Sequence, residues 1–193
     1  MDDSLDPETL LPLLRGRFGR PYTYVERCES TQHLLADDAP EGALAATDEQ
    51  TAGRGRLGRD WVAPPGSSVL ASIALHPRVP TARLAELSLV AGRAVAQALA
   101  DVAEVVPEVK WPNDVLIGGR KVAGILAEAR EGRVVLGFGI NVLQTAAELP
   151  KRAQHPPTSL LLETGRRIPR AELLAAVLDH LEHEHDAWVG GYR

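Results

Sequence analysis

Cysteine is almost absent from this sequence, because Cys28 is the only one in 193 residues. One thiol cannot form an intrachain disulfide, which excludes a small disulfide-held secreted domain and favours a reducing cytoplasmic compartment. The N-terminus is acidic and carries no basic segment followed by an apolar stretch, so it does not resemble a secretory signal. No apolar run approaches the roughly 20 residues of a membrane-spanning helix. These absences predict a cytoplasmic protein with no membrane partner.

Positive charge is in deficit, since 21 lysines and arginines face 26 aspartates and glutamates and the net charge is −5. General nucleic-acid binding depends on neutralising phosphates, so we expect no nucleic-acid partner and only a local anion site. A hydrophobic content of 45% is typical of a globular protein. The length predicts a single domain over residues 1–193, with a helical lead-in over residues 1–20.

Hydrophobic periodicity predicts helices and strands that alternate in blocks. The predicted helices lie over residues 31–36 (with Ser30 as N-cap), 83–100 and 171–188, with further helix starts at 6–8 and 158–160. The predicted strands lie over residues 22–27, 43–48, 69–75, 105–111, 115–117, 121–127 and 134–140. Residues 50–68 have no clear period and are predicted to be a long functional loop. This order predicts an α+β fold, a central mixed or antiparallel sheet flanked by helices, rather than regular β-α-β units.

The glycine–arginine loop, defined here as Gly53–Arg59, matches the spacing G-x-G-x-x-G. A dinucleotide-binding fingerprint requires an apolar strand before this pattern and a helix opening within it, and neither flank fits. Glycine lets the backbone approach a ligand closely, and arginine binds carboxylates or phosphates with paired hydrogen bonds. The loop therefore predicts a site for two anions, such as a carboxylate attacking an α-phosphate. Taken alone, it is equally typical of a solvated loop with incidental charge.

Further motifs accompany the loop. They are Ser30-Thr31, Gln50-Thr51-Ala52-Gly53-Arg54-Gly55-Arg56, Trp61, Lys110-Trp111-Pro112-Asn113-Asp114, Lys121-Val122-Ala123-Gly124-Ile125-Leu126-Ala127-Glu128 and Gly137-Phe138-Gly139-Ile140-Asn141. Their order and spacing resemble the catalytic domain of biotin protein ligases over roughly residues 22–190. The most specific part is K-W-P-N-D followed by K-x-A-G-I-L.

This resemblance implies a two-step ligase reaction. Biotin and ATP give biotinyl-5′-adenylate, with Mg²⁺ as cofactor, and a lysine of a biotin carboxyl carrier protein or domain of an acyl-CoA carboxylase then displaces AMP. It also implies a sheet related to class II aminoacyl-tRNA synthetase cores, and a monomer or a homodimer. We expect neither the N-terminal DNA-binding domain nor the small C-terminal β domain of some relatives in this sequence.

The resemblance also implies site residues. Those expected to bind biotin are Ser30, Thr31, Gln32, Gln50, Gly53, Arg54, Gly55, Arg56, Lys121, Gly124 and Gly137. Those expected to bind the nucleotide are Arg54, Arg56, Arg59, Trp61, Asn113, Asp114, Lys121 and Asn141. Lys121, Arg54 and Arg56 are the expected catalytic residues, and Asp114 is the expected magnesium ligand. Gln32 stands where the family usually has asparagine, which moves its amide outward by one methylene.

Some of these residues have a plainer interpretation. Trp61 is equally typical of core packing, and Asn113-Asp114 of a turn. The histidines of the last predicted helix, 180, 183 and 185, lack a metal-binding spacing and are typical of a solvated helix face. Two other functions stay open: a lipoate or octanoate ligase or transferase, and a catalytically silent biotin-binding module.

Overall fold

A computed structural model describes residues 3–130, 132–151 and 155–191. Its centre is a seven-stranded sheet in the order β1-β2-β3-β7-β6-β5-β4. The strands are β1 Tyr22–Cys28, β2 Leu44–Gln50, β3 Ser68–Leu75, β4 Pro107–Lys110, β5 Asp114–Ile117, β6 Arg120–Arg130 and β7 Arg133–Asn141. Only β1 and β2 pair in parallel, and the other neighbours are antiparallel. The predicted α+β fold with a mixed sheet is confirmed.

Four α-helices accompany the sheet among the described residues. They are α1 Pro7–Leu10, α2 Leu87–Ala103, α3 Leu160–Thr164 and α4 Arg170–Gly190. The predicted starts of α1 and α3 are confirmed: the side chain of Asp6 accepts from Thr9 N, and that of Ser159 accepts from Leu162 N. Each cap satisfies an amide that has no partner inside the helix. None of the helices within the described ranges is long and apolar enough to cross a membrane.

The two faces of the sheet differ in the size of their side chains. Val69, Ala71 and Ile73 of β3 pack with α2 and α4 in the main hydrophobic core. Alternate residues of a strand point to opposite faces, so Ser72 of β3 lies on the other face, as do Gly137 and Gly139 of β7. Since small residues leave space above this face, the fold provides room for a cavity there.

Two predicted helices differ from the structure. Residues 31–36 do not form a helix: only Thr31–His33 makes a 3₁₀ turn, and the side chain of Ser30 does not cap it. The reason is that β2 and β3 hold this segment, because Thr31 N donates to Gln50 Oε1 and Thr31 Oγ1 bonds with Ser72 Oγ. The helix predicted from residue 83 begins at Leu87, after a 3₁₀ segment over Thr81–Glu86.

Candidate active site

A cavity of about 920 Å³ lies on the small-residue face of the sheet, away from α2 and α4. Strands β3, β6 and β7 form its floor, the glycine–arginine loop covers one side, and Pro150, His155 and Pro157 lie on another. Every predicted site residue except Gly53 lines this cavity. Motifs that are spread over more than 100 positions of the sequence therefore meet in one place.

Three glycines form the floor and make room for two larger side chains. A Cβ atom on Gly139 would lie 2.4 Å from Trp61 Cε2, and one on Gly124 would lie 2.9 Å from Trp61 Cζ3. A Cβ atom on Gly137 would lie 2.7 Å from Gln32 Nε2. Such distances are below van der Waals contact, so a side chain on Gly139 or Gly124 would displace the indole ring of Trp61, and one on Gly137 would displace the end of the Gln32 side chain. Trp61 thus packs on the cavity floor rather than in the hydrophobic core.

One end of the cavity is buried and polar. Ser30, Thr31 and Gln32 are each 2–3% exposed. Thr31 N donates to Gln50 Oε1 at 2.9 Å, and Thr31 Oγ1 lies 2.7 Å from Ser72 Oγ. Gln32 Nε2 donates to Leu126 O at 3.1 Å, while its buried Oε1 accepts no hydrogen bond from the described residues. This end therefore offers hydrogen-bond donors and acceptors to a compact polar group.

The other end of the cavity is cationic. Lys121 Nζ lies 2.7 Å from Asp114 Oδ1 and 5.6 Å from the centroid of the Trp61 ring. Arg56 Nη1 donates to Asn113 Oδ1 at 3.4 Å, and Asn113 Nδ2 donates to Ile125 O at 3.0 Å. The sheet supplies the lysine from β6, and the glycine–arginine loop supplies the arginine, so the two cations lie beside the same part of the cavity.

The arginines of the loop are held by the loop's own hairpin. Trp61 N donates to Gly53 O at 2.9 Å, and Gly55 N donates to Arg59 O at 2.7 Å. At the rim, Arg54 forms a 3.0 Å ion pair with Glu128, with the arginine side chain 48% exposed. Gly53 is not among the residues that line the cavity. A Cβ atom there would lie 2.4 Å from Trp61 O, so the hairpin needs glycine at this position. The expected biotin contact of Gly53 stays a prediction.

Asn141 uses its side chain inside the protein. Its Nδ2 donates to Thr158 O at 2.9 Å, and its Oδ1 accepts from Gln144 Nε2 at 3.1 Å. The residue is 5% exposed, although part of it lines the cavity. Its expected contact with the nucleotide stays a prediction, whereas its hydrogen bonds tie β7 to the segment that follows Pro156.

No group of three histidine, cysteine, aspartate or glutamate side chains converges within the described ranges of the chain. His180 Nε2 lies 2.8 Å from Asp101, whereas His185 packs between Phe18 and Trp188. At the cavity, Asp114 is one carboxylate beside a lysine. That arrangement fits a magnesium ion held mainly by phosphate oxygens, which commonly takes only one or two protein carboxylates.

Cys28 is a poor candidate nucleophile. Burial raises the pKa of its thiol above the ordinary value, Glu29 adds to this, and a hydrogen bond with Thr47 only partly opposes it. A thiol with a raised pKa carries little of the reactive thiolate at neutral pH. The raised pKa therefore argues against Cys28 as the nucleophile of the site.

Several residues that line the cavity have no recognisable signal in the sequence. Ser72 lies in the middle of an apolar strand, and Pro150, His155 and Pro157 come from an irregular segment. Gly139 is the exception, because its two-residue spacing from Gly137 places both on the same face of a strand. Tertiary contacts, rather than local pattern, bring the other residues to the cavity.

Comparison with known proteins identifies what this arrangement is similar to. Residues 24–144 match the model of the biotin/lipoate A/B protein ligase family. The chain is 41% identical over 156 residues to the bifunctional ligase/repressor BirA of Bacillus subtilis, covering 78% of this chain and 48% of that protein. It is 39% identical over 153 residues to a biotin–[acetyl-CoA-carboxylase] ligase of Mycobacterium tuberculosis, covering 77% and 56%.

Solved structures show the same architecture. Biotin protein ligase from Aquifex aeolicus, in complex with biotin and ATP, superposes with a TM-score of 0.80 at 32% identity, covering 89% of this chain and 72% of that one. The chain spans about half the length of the curated relatives that it matches. The seven-stranded sheet and its cavity thus correspond to the part that these proteins share.

Proposed function

Because the chain belongs to the biotin/lipoate A/B protein ligase family, we propose that it activates biotin with ATP and transfers it to a protein lysine. The acceptor is a biotin carboxyl carrier protein or domain of an acyl-CoA carboxylase. Relatives named as biotin–[acetyl-CoA-carboxylase] ligases support this choice of acceptor. A relative solved with both biotin and ATP supports the two substrates.

The observation that carries the proposal is the division of the cavity into two ends. The buried hydroxyls of Thr31 and Ser72 and the half-buried amide of Gln50 suit the ureido ring of biotin, which has both N–H donors and a carbonyl acceptor. Lys121 and Arg56 suit the carboxylate of biotin and the phosphates of ATP. The glycine floor lets Trp61 and Gln32 lie close to the sheet, which leaves room above them for an extended ligand between the two ends.

In the first step, an oxygen of the biotin carboxylate bonds to the α-phosphorus of ATP. The bond from that phosphorus to the oxygen bridging to the β-phosphate breaks, and pyrophosphate leaves. Lys121 exchanges its contact with Asp114 for the crowded oxygens of the reacting groups, where a fixed cation lowers the energy of the transition state. Magnesium, carried on the phosphates with Asp114 as its protein ligand, would neutralise charge on the leaving pyrophosphate.

In the second step, the uncharged amine of the acceptor lysine attacks the carbonyl carbon of biotinyl-adenylate. The bond from that carbon to the AMP oxygen breaks, and the amine loses a proton as the amide forms. The glycine–arginine loop acts here by covering the adenylate, since Arg54 and Arg56 line the cavity on the side that this loop closes. Excluding water protects an acyl-adenylate from hydrolysis.

The proposal is tested by two measurements on the same protein. Biotin-dependent exchange of labelled pyrophosphate into ATP reports the first step, and streptavidin blotting of a carrier domain reports the second. We expect both signals with biotin and neither with lipoate. Activation of lipoate instead of biotin would assign the chain to the lipoate branch of the family. Biotin binding without pyrophosphate exchange would make it a silent binding module.

A further inference from the structure

A network of buried polar side chains lies beside the cavity, which one of its members, Asn141, lines. Ser68, Asn141, Gln144 and Thr158 are each 5% exposed or less. Gln144 stands at its centre, because its Nε2 donates to Ser68 Oγ at 2.6 Å and to Asn141 Oδ1 at 3.1 Å. Gln144 does not line the cavity, so it has no direct access to a ligand there.

In one direction the chain of hydrogen bonds reaches the main chain of Lys121. Asn141 Nδ2 donates to Thr158 O at 2.9 Å, and Thr158 N donates to Lys121 O at 2.8 Å. On the other side, Lys121 N donates to Pro156 O at 2.8 Å. Both backbone groups of Lys121 are therefore held by the short segment that Asn141 anchors. Ser159 Oγ adds a second anchor by donating to Gln144 O at 2.6 Å.

In the other direction the hydrogen bonds reach both ends of the longer segment over residues 48–68, and these ends form the base of the glycine–arginine loop. Ser68 O, at one end of the segment, accepts from Arg170 Nη1 at 3.3 Å. The same guanidinium atom donates to Asp48 Oδ1 at 2.7 Å, at the other end. Asp48 O also accepts from Gly66 N at 3.0 Å, which closes the base of the loop. Ser68 is thus common to the base of the loop and to the hydrogen bonds of Gln144.

We propose that Gln144 is a positioning residue that fixes the place of Lys121 relative to the base of the glycine–arginine loop. This inference rests on the proposed function. Buried polar groups that lose their partner must find another, so loss of the Gln144 amide leaves Asn141 unoriented, weakens one of the two anchors of the segment around Thr158 and lets that segment shift. Because the backbone of Lys121 is bonded to that segment, its amine moves with it. A displacement of about 1 Å at a catalytic group is able to lower a rate by roughly 100-fold.

The test replaces Gln144 by leucine, which has a similar size and no hydrogen-bonding group. In biotin-dependent pyrophosphate exchange, we expect Gln144→Leu to lower kcat by about 10- to 100-fold. The KM for biotin stays at its wild-type value, because Ser30, Thr31 and Gln50 lie on other elements. In a Lys121→Ala background, Gln144→Leu causes no further loss, since the two residues act through one group.

Two further variants separate positioning from stability. Val177→Ala removes buried apolar atoms from α4 away from the network, and it lowers the unfolding temperature without lowering kcat. Gln144→Asn keeps the amide but shortens its reach. If Gln144→Leu does not fold, the same lower kcat and unchanged KM for biotin are expected of Gln144→Asn.

Each remaining outcome has a definite meaning. A folded Gln144 variant with wild-type kcat, a rise in the KM for biotin equal to the loss of kcat, or a full additional loss in the Lys121→Ala background overturns the inference alone. Absence of exchange in the wild-type protein overturns the proposed function, and the inference falls with it.

Discussion

Lys121 is the residue on which the proposed chemistry depends most. Its Nζ is 2.7 Å from Asp114 Oδ1, with the lysine side chain 23% exposed. We expect Lys121→Ala to raise the activation free energy of pyrophosphate exchange by at least the roughly 1.5–3 kcal/mol of a charge-assisted hydrogen bond. This corresponds to a rate that is lower by about 10- to 150-fold.

The matched control for Lys121 is Lys110→Ala, because Lys110 is exposed on β4 and does not line the cavity. Exchange by this variant should equal that of the wild type. Equal losses in both variants would mean that total positive charge, rather than the position of Lys121, supports the reaction.

Gly139 tests whether the floor of the cavity must be free of side chains. A methyl group at this position would lie 2.4 Å from Trp61 Cε2, so Gly139→Ala must move the indole ring or the strand. Overpacking of this kind costs about 1–3 kcal/mol. We expect a lower free energy of unfolding in urea and a change in tryptophan fluorescence.

Gly190→Ala is the control for Gly139, because nothing lies within 4 Å of the added methyl group. It lies in the last turn of α4, where alanine has the better helix propensity. Its stability should therefore match or slightly exceed that of the wild type. A stable Gly139→Ala protein with unchanged fluorescence would show that the floor accommodates side chains.

Many of the cavity residues were predictable because they belong to short, specific motifs. The residues that were missed have no such motif: Ser72 is recognisable only by its contact with Thr31, which lies 41 positions earlier. At Gly53 the motif suggested a ligand contact, which stays a prediction, whereas the structure shows that close packing against Trp61 O already requires glycine there. A motif indicates which residues gather, whereas the direction in which each one points depends on tertiary packing.

Among the elements, α4 carries a buried histidine with a consequence for stability. His185 is 3% exposed and lies between the rings of Phe18 and Trp188, at centroid distances of 5.6 and 6.0 Å. Burial lowers its pKa, although the carboxylates of Glu41 and Asp186, each 3.6 Å away, oppose this effect. The folded protein therefore favours the neutral imidazole.

This shift predicts that the protein loses stability in mild acid. The unfolded chain binds a proton at a histidine pKa of about 6.5, whereas folded His185 binds it only at lower pH. The free energy of unfolding therefore falls as the pH drops through about 6.5, by less than about 1.4 kcal/mol per pH unit from this one group. Urea unfolding between pH 7 and pH 5 measures it.

Replacing the imidazole isolates its contribution. His185→Phe should flatten the dependence over this range, because the ring stays apolar and has no proton to bind. His180→Gln is the control, because His180 lies on the same helix and contacts Asp101 at the surface. This variant should keep the part of the pH dependence of the free energy of unfolding that comes from His185. Identical pH profiles for the wild type and His185→Phe would contradict the assignment.

The elements themselves were predictable to different degrees. Strands β3 and β7 were evident because nearly every residue is apolar, which suits strands that are buried on both faces. The segment after Ser30 was misassigned as a helix because its hydroxyl and amide residues are typical of a helix start. In the structure the same groups bond to β2 and β3, and these tertiary hydrogen bonds override the local preference.

In the whole molecule, the sheet separates the hydrophobic core on one face from the cavity on the other. One face packs α2 and α4 through large apolar side chains, and the other carries glycine and serine beneath the cavity. The alternation of large apolar and small residues could be predicted within single strands. The sequence did not predict which face carries the ligand site, because that depends on how the loop and the segment around Thr31 cross over the sheet.

A ligand that fills this cavity bonds to several elements that unfolding would separate. Binding only to the folded state stabilises it by about 2.7 kcal/mol when the free ligand is at 100 times its Kd. For a protein of this length, that corresponds to a rise in Tm of roughly 5–10 °C. We expect this rise in Tm with biotin and a larger one when ATP is added. We expect no rise with lipoate, because the polar end of the cavity forms hydrogen bonds with a ureido ring and a dithiolane cannot form them. Differential scanning calorimetry at matched ligand concentrations measures the Tm with biotin, with biotin and ATP, and with lipoate. A rise in Tm with lipoate would mean that the polar end of the cavity does not discriminate the ureido ring from the dithiolane.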